Sequence, residues 1–212
     1  MRNTQKIILA STNRHKLEEF RFIFKSYPGV EVMEASDFLR NASKIELAET
    51  HDTFLENALA KARLVNWGSH YPAIADDSGL EVDALNGEPG VHSRRYSIAK
   101  AGQSQSEANI QKLLDALKGR PSPERKARFR TVVALCMEGL DLHAEGVLEG
   151  TIAEAPTGAG GFGYDSVFIP DGMQKTLAEL TEAQKNEMSH RARAIHRLMD
   201  QVREHGLLFV KP

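Results

Sequence analysis

Four short stretches hold the side chains whose types and spacing could do chemistry. "STNRHK", Ser11 to Lys16, follows an apolar run and opens a helical pattern. The N–H groups and positive end of a helix start favour anions. Ser11, Thr12 and Asn13 add hydrogen-bonding side chains, and Lys16, one turn into the helix, could reach the same anion. The motif is not a P-loop, because G-x-x-x-x-G-K-[ST] occurs nowhere in the chain. "ADDSG" then ends another apolar run on Asp76 and Asp77. Successive strand side chains point to opposite faces, so the two acids cannot share a pocket while the strand stays regular. One can face a site while the other ties the local backbone, and Ser78 with Gly79 predicts a turn where backbone approaches a ligand closely. An aspartate here could hold a divalent cation or take a proton from water beside one. A free carboxyl group, with a pKa of about 3.9, is a weak base, so neighbouring charge must shape that role.

"GGFGYD", Gly160 to Asp165, sets Phe162 and Tyr164 among three glycines, a loop suited to stacking on a planar ring. "KNEMSHR" gathers Lys185, His190 and Arg191, donors suited to the keto oxygens of a base edge. Singly, these stretches also read as an N-cap, an Asx-turn, a glycine-rich turn with core aromatics and a solvated basic face. In order, they describe a site for a phosphorylated planar ring and a metal.

The elements that must position them alternate at first. "KIILA" predicts a buried strand, followed by a helix with Leu17, Phe20 and Phe24 on one face, then a strand at "GVEVME". Residues 40 to 50 are polar and predict a loop. "TFLENALAKARLVNW" predicts a helix opened by a Thr53–Glu56 capping box, with Leu55, Ala58, Leu59 and Ala62 as its apolar stripe. "AIADD" and "LEVDAL" predict separate strands, Ser104 to Lys118 a helix, and "ARFRTVVALCME" a long strand turned back at "GLD" into a hairpin. "SVFIP" predicts a further strand, and Thr181 with Gln184 opens a last helix running through "SHRARAIHRLMDQVREH". This order predicts an α/β fold with a mixed sheet flanked by helices. No linker divides residues 1–212, so two lobes would be interleaved within one domain.

Composition sets the outer limits. The 212 residues are 41% hydrophobic and 26% charged, with a formal net charge of -2, which disfavours wholesale binding to nucleic acid. The single cysteine, Cys136, sits in an apolar run and reads as a core thiol. The N-terminal apolar run is too short for a signal or a membrane span, which predicts a soluble cytoplasmic protein.

The chain resembles the inosine triphosphate pyrophosphatase family, the non-standard purine NTP pyrophosphatases. Five ordered segments carry the likeness: "STNRHK", "TFLENALAKA", "AIADDSGLEVDALNGEPGVHSRRY", "GGFGYD" and "KNEMSHR". The resemblance implies a long mixed sheet with two lobes and a central cleft, a homodimer, and Mg²⁺-dependent hydrolysis of ITP, dITP and XTP to the monophosphate and pyrophosphate. It implies that Ser11, Thr12, Asn13, Arg14, His15 and Lys16 cradle the triphosphate. Asp77 would be general base and Mg²⁺ ligand, with Ser78 touching the substrate. Phe162, Gly163, Tyr164 and Asp165 would line the base site, with Phe162 stacking, and Lys185, His190 and Arg191 would read the purine. Three positions depart from the family pattern. Ala48 stands where one of a pair of acids is common, leaving Glu49 or Glu46 as second metal ligand; Arg94 replaces a small residue and Ser166 a proline. Rival readings are a pyrophosphatase for other modified nucleotides and a non-catalytic nucleotide sensor.

Overall fold

The apolar runs and periodic segments become six strands and five α-helices within the described residues, 4–40 and 42–207, of a computed structural model. In chain order they are β1 (Gln5–Leu9), α1 (Arg14–Phe24), β2 (Val30–Glu34), α2 (Phe54–Ser69), β3 (Ala73–Val82), α3 (Gln105–Ala116), β4 (Lys126–Met137), β5 (Leu140–Ile152), β6 (Phe168–Pro170), α4 (Glu182–Met188) and α5 (His190–Glu204). The strands hydrogen-bond in the order β2-β1-β3-β4-β5-β6. β1 runs parallel to β2 and β3, and β6 runs antiparallel to β5, so the sheet is mixed and the fold α/β, as expected.

The chain divides into two compact units. The first comprises Met1–Asp77, Thr131–Gly146 and Arg191–Pro212; the second comprises Ser78–Arg130 and Val147–His190. In the first, β1 is buried on both faces, and its Ile7 and Leu9 pack with Phe20 and Phe24 of α1, Ile74 of β3, Val133 and Leu135 of β4, and Ile195 and Leu198 of α5. Asn13 caps α1 by accepting the His15 and Lys16 amides, at 3.0 and 3.4 Å. Cys136 is buried here as expected, and burial, with help from Asp141, pushes its thiol up to about 12.

The second unit has its own core of Leu80, Val82, Leu113, Phe129, Ile152, Tyr164, Val167 and Phe168. A buried cation ties its edges: the Arg125 guanidinium donates to the carbonyls of Leu117, Ile152 and Ala153 at 2.7–2.9 Å. The Ser104–Glu107 and Thr181–Gln184 capping boxes open α3 and α4.

Four local expectations change. The polar segment before α2 is not plain loop but a 3-10 turn over Ala42–Ala48. The buried face of α2 is Phe54, Asn57, Ala58, Lys61, Ala62 and Val65, rotated from the expected Leu55–Leu59 stripe; those two leucines are only half-buried. The expected turn at Ser78–Gly79 is absent, and β3 runs unbroken through "AIADDSGLEV". A buried backbone must pair its polar groups. Here β3 lies between β1 and β4, while the Thr131 hydroxyl donates to the Asp77 carbonyl and the Leu80 amide to the Ser93 hydroxyl. Finally, the last helix is two. Ser189 takes an extended backbone, φ −61° and ψ 145°, the conformation of a residue that starts a new helix, so α5 begins at His190.

Candidate active site

Because β3 stays regular through Asp76 and Asp77, the acids leave it on opposite faces, and each meets its own cations within the first unit. Asp76 is fully buried. Its Oδ1 lies 3.0 Å from the Lys16 ammonium, and its Oδ2 accepts from Nε and Nη2 of Arg191 at 3.0 and 2.9 Å. The remaining guanidinium nitrogen of Arg191, Nη1, donates to Glu19 of α1. Asp77 instead faces α2. Its Oδ2 accepts from the Asn57 amide at 3.0 Å, and its Oδ1 lies 3.4 Å from the Lys61 ammonium. Lys61 is held further by Glu49 at 2.7 Å and by the Asp76 carbonyl at 2.6 Å. Of the two acids open to the metal role, Glu49 therefore shares a cation with Asp77, while Glu46 accepts from the Thr12 hydroxyl.

Burial sets the electrostatics. It raises the Asp77 carboxyl above its ordinary range, and Glu49 pushes the same way, against the pull of Lys61 and Lys16. Burial lowers the Lys16 ammonium, with Asp76 pulling back and the neighbouring Lys61 and Arg191 charges adding to the fall. For Lys61, burial is more than offset by Asp77, Glu49 and Asp76, so it stays firmly protonated. The first unit thus presents carboxylates and ammonium groups already taken out of water, where charge interactions are strong.

The helix start is partly self-satisfied. Asn13 consumes two of the amides that could meet an anion, and the Ser11 hydroxyl accepts from the Asn13 amide at 3.1 Å. Arg14 and His15 are exposed, and Thr12 is exposed beside Glu46.

The second cluster lies in the second unit. Phe162 is 36% exposed, and the Lys185 ammonium stands 5.9 Å from its ring centroid. Asp165 accepts from that ammonium at 3.0 Å and from the Phe162 amide at 3.1 Å, fixing the loop. Gly161 is required for this: its φ is +73°, and a Cβ there would strike the Asp165 carboxylate. Gly163 is half-buried beside them. Tyr164 is drawn into the core, its hydroxyl donating to the Ser93 carbonyl at 2.9 Å. His190 stacks on Phe129, and Ser78 is half-buried on β3.

Ser11 to Lys16, Glu49 and Asp77 therefore come together in one unit, and Ser78, Phe162 to Asp165, Lys185 and His190 fall in the other. Arg191 does not join Lys185 and His190. Its guanidinium is sealed in the first unit on Asp76 and Glu19, which raise its pKa despite burial. Sequence reasoning passed over Lys61, Asn57 and Glu19. The signal for the first two was their phase: with Phe54, Ala58, Ala62 and Val65 they complete an i, i+3, i+4, i+7 stripe, so two polar side chains lie on the buried face.

Residues 7–201 match the model of the Ham1 family. The chain belongs to the Ham1 family. Among relatives of this Ham1 chain, the dITP/XTP pyrophosphatase of a Thermoanaerobacter species is 46% identical over 198 residues, covering 93% of this chain and 96% of that protein. The dITP/XTP pyrophosphatase of Porphyromonas gingivalis is also 46% identical, over 92% of this chain and 96% of its own. The solved structure of the Staphylococcus aureus Ham1 protein superposes with a TM-score of 0.80 at 37% identity, covering 95% of this Ham1 chain and all of that one.

Proposed function

We propose that the chain hydrolyses non-standard purine nucleoside triphosphates, dITP, XTP and ITP, to the monophosphate and pyrophosphate, clearing deaminated purines from the nucleotide pool. One observation carries the chemistry: Asp77 and Glu49 converge on a single buried positive charge, in a chain whose near-full-length relatives are dITP/XTP pyrophosphatases. Water attacks the α-phosphorus in line, the bond to the bridging oxygen breaks, and pyrophosphate leaves. Asp77 orients the water and takes its proton. Lys16 and the start of α1 offset the charge that grows on the phosphate oxygens. In the second unit, Phe162 stacks on the purine, and donors including His190 pair with its 6-oxo group. ATP offers a 6-amino donor instead and leaves those donors unmatched, a mismatch that a hydrogen-bonding site rejects strongly.

The donor set fits a hard divalent cation, Mg²⁺ in this reading. Two carboxylates already share one positive charge, and Mg²⁺ is commonly held by one or two carboxylates together with substrate phosphates. Among the described residues, no cluster of three or more His, Cys, Asp or Glu side chains is arranged to hold a metal by itself. Asp77 and Glu49 would hold the ion, which supplies neutralisation of the phosphate oxygens and a better leaving group. The same reading makes the two units one catalytic domain working as a cytoplasmic homodimer on free nucleotides. No helix among the described residues is long and apolar enough to cross a membrane.

The decisive experiment measures pyrophosphate release from dITP, XTP, ATP, GTP, dTTP and m7GTP, with Mg²⁺ and with chelator. Release from dITP and XTP that chelation stops is the expected result. Equal turnover of all six, or binding of dITP with no release, would overturn the reading in favour of an unselective hydrolase or a sensor.

The raised Asp77 pKa has a directional consequence. In the metal-free protein, burial penalises the charged form, so the Asp77 carboxyl takes up its proton above the ordinary carboxylate range of about 4 as pH drops. An NMR titration of that carboxyl in chelator checks this; a midpoint at or below that range would contradict the rise.

A further inference from the structure

His190 is the first residue of α5, and its imidazole lies flat on the Phe129 ring, with centroids 5.1 Å apart and planes 11° apart. Phe129 belongs to β4, where Arg128 and Arg130 alternate to the other face and pair with Glu149, Asp83 and Glu81. The Phe129 ring is itself wedged. Phe168 of β6, fully buried, packs against it with centroids 4.6 Å apart and planes tilted by 51°. Phe168 pairs with Ile152 of β5, and its ring reaches diagonally over Gly150, the partner of Pro170, where an added Cβ would come within 2.6 Å of the ring. Gly150, Phe168, Phe129 and His190 therefore form one column, all within the second unit.

The geometry points to Phe129 as the residue that positions the His190 imidazole for the purine base. The proposal rests on the reading above that His190 contacts that base. A helix-initial side chain has its backbone fixed but its ring plane still to be chosen. Stacking fixes that plane through the ring face and spares the edge, where both nitrogens lie. Aromatic pairs prefer such offset contacts and gain from them beyond simple burial. Phe129 touches no substrate in this account; it acts through His190. Gly150 matters one step further back, since a side chain there would push Phe168 against Phe129.

The test compares Phe129→Leu, Phe129→Tyr and His190→Gln in the full-length protein, with dITP as substrate. Phe129→Leu should raise KM about three- to tenfold, on the scale of one aromatic contact, with a smaller change in kcat. Phe129→Tyr keeps the flat face and should restore KM. The His190 ring-proton resonances, assigned by their loss in His190→Gln, should move downfield in Phe129→Leu as the ring current is lost. A Phe129→Leu protein with unchanged KM, while His190→Gln raises KM, overturns the positioning role alone. An unchanged KM in His190→Gln overturns both this role and the base-contact reading beneath it.

Discussion

Replacing Asp77 with asparagine lowers kcat for dITP by about 10³-fold, within the range lost when a positioned general base is removed, and leaves the chain folded. The expectation follows from what surrounds the carboxylate. Asparagine is nearly isosteric, and its amide oxygen can still accept from Asn57, whose Nδ2 lies 3.0 Å from Asp77 Oδ2. Lys61 keeps Glu49 and the Asp76 carbonyl, so its ammonium is not stranded. What disappears is the group able to take a proton, together with one of two carboxylates placed to share a cation. Steady-state turnover and thermal unfolding, measured side by side, check the prediction. A variant with near-normal kcat would dismiss Asp77 as base. One that fails to fold would recast the carboxylate as structural.

The parts of this site that were legible in the sequence are those that depend on local period. Strand alternation separates Asp76 from Asp77, and the structure sends them to different cations as that geometry requires. The N-cap of α1 at Asn13 and the Thr181–Gln184 capping box are likewise written into adjacent residues. What stayed hidden is partnership across the chain. Arg191 lies 115 residues from Asp76, and no spacing rule links them. Its neighbours Ser189 and His190 suggested one basic cluster on a continuous helix. A single extended residue at Ser189 is too small a signal to break that pattern, yet it sets Lys185 on α4 apart from His190 and Arg191 on α5, and the turn of about 100° between successive helix residues sends those two to different partners. Lys61 was hidden differently. Its phase on α2 was visible, but lysine on a helix reads as solvated until buried carboxylates are known to surround it. Ser78–Gly79 misled in the opposite sense, because turn-forming residues run straight when strands flank them.

Replacing Arg191 with methionine should destabilise the fold by about 3–5 kcal/mol, the cost of stranding a buried charge whose partner is removed. Arg191 is 3% exposed, and its Nε, Nη1 and Nη2 are all engaged by Asp76 and Glu19. Methionine fills similar volume but takes the forked donor away from Asp76 and leaves Glu19 facing an apolar side chain. For a chain of this size, that loss lowers Tm by about 6–20 °C. Lysine in its place should recover only part, since a single ammonium cannot offer the forked pair of bonds that Asp76 accepts. Adding Asp76→Asn to the methionine variant removes one of the stranded charges, so the double variant should lose less than the sum of the single losses. Thermal and urea unfolding of the four proteins in that cycle give the coupling directly. Activity distinguishes the two roles open to this arginine. As an anchor that also holds Asp76 against Lys16, its loss acts on stability and on kcat. As a reader of the base, its loss would spare stability to within about 0.5 kcal/mol, the scale of an ordinary surface substitution, and would raise KM selectively for 6-oxo purines.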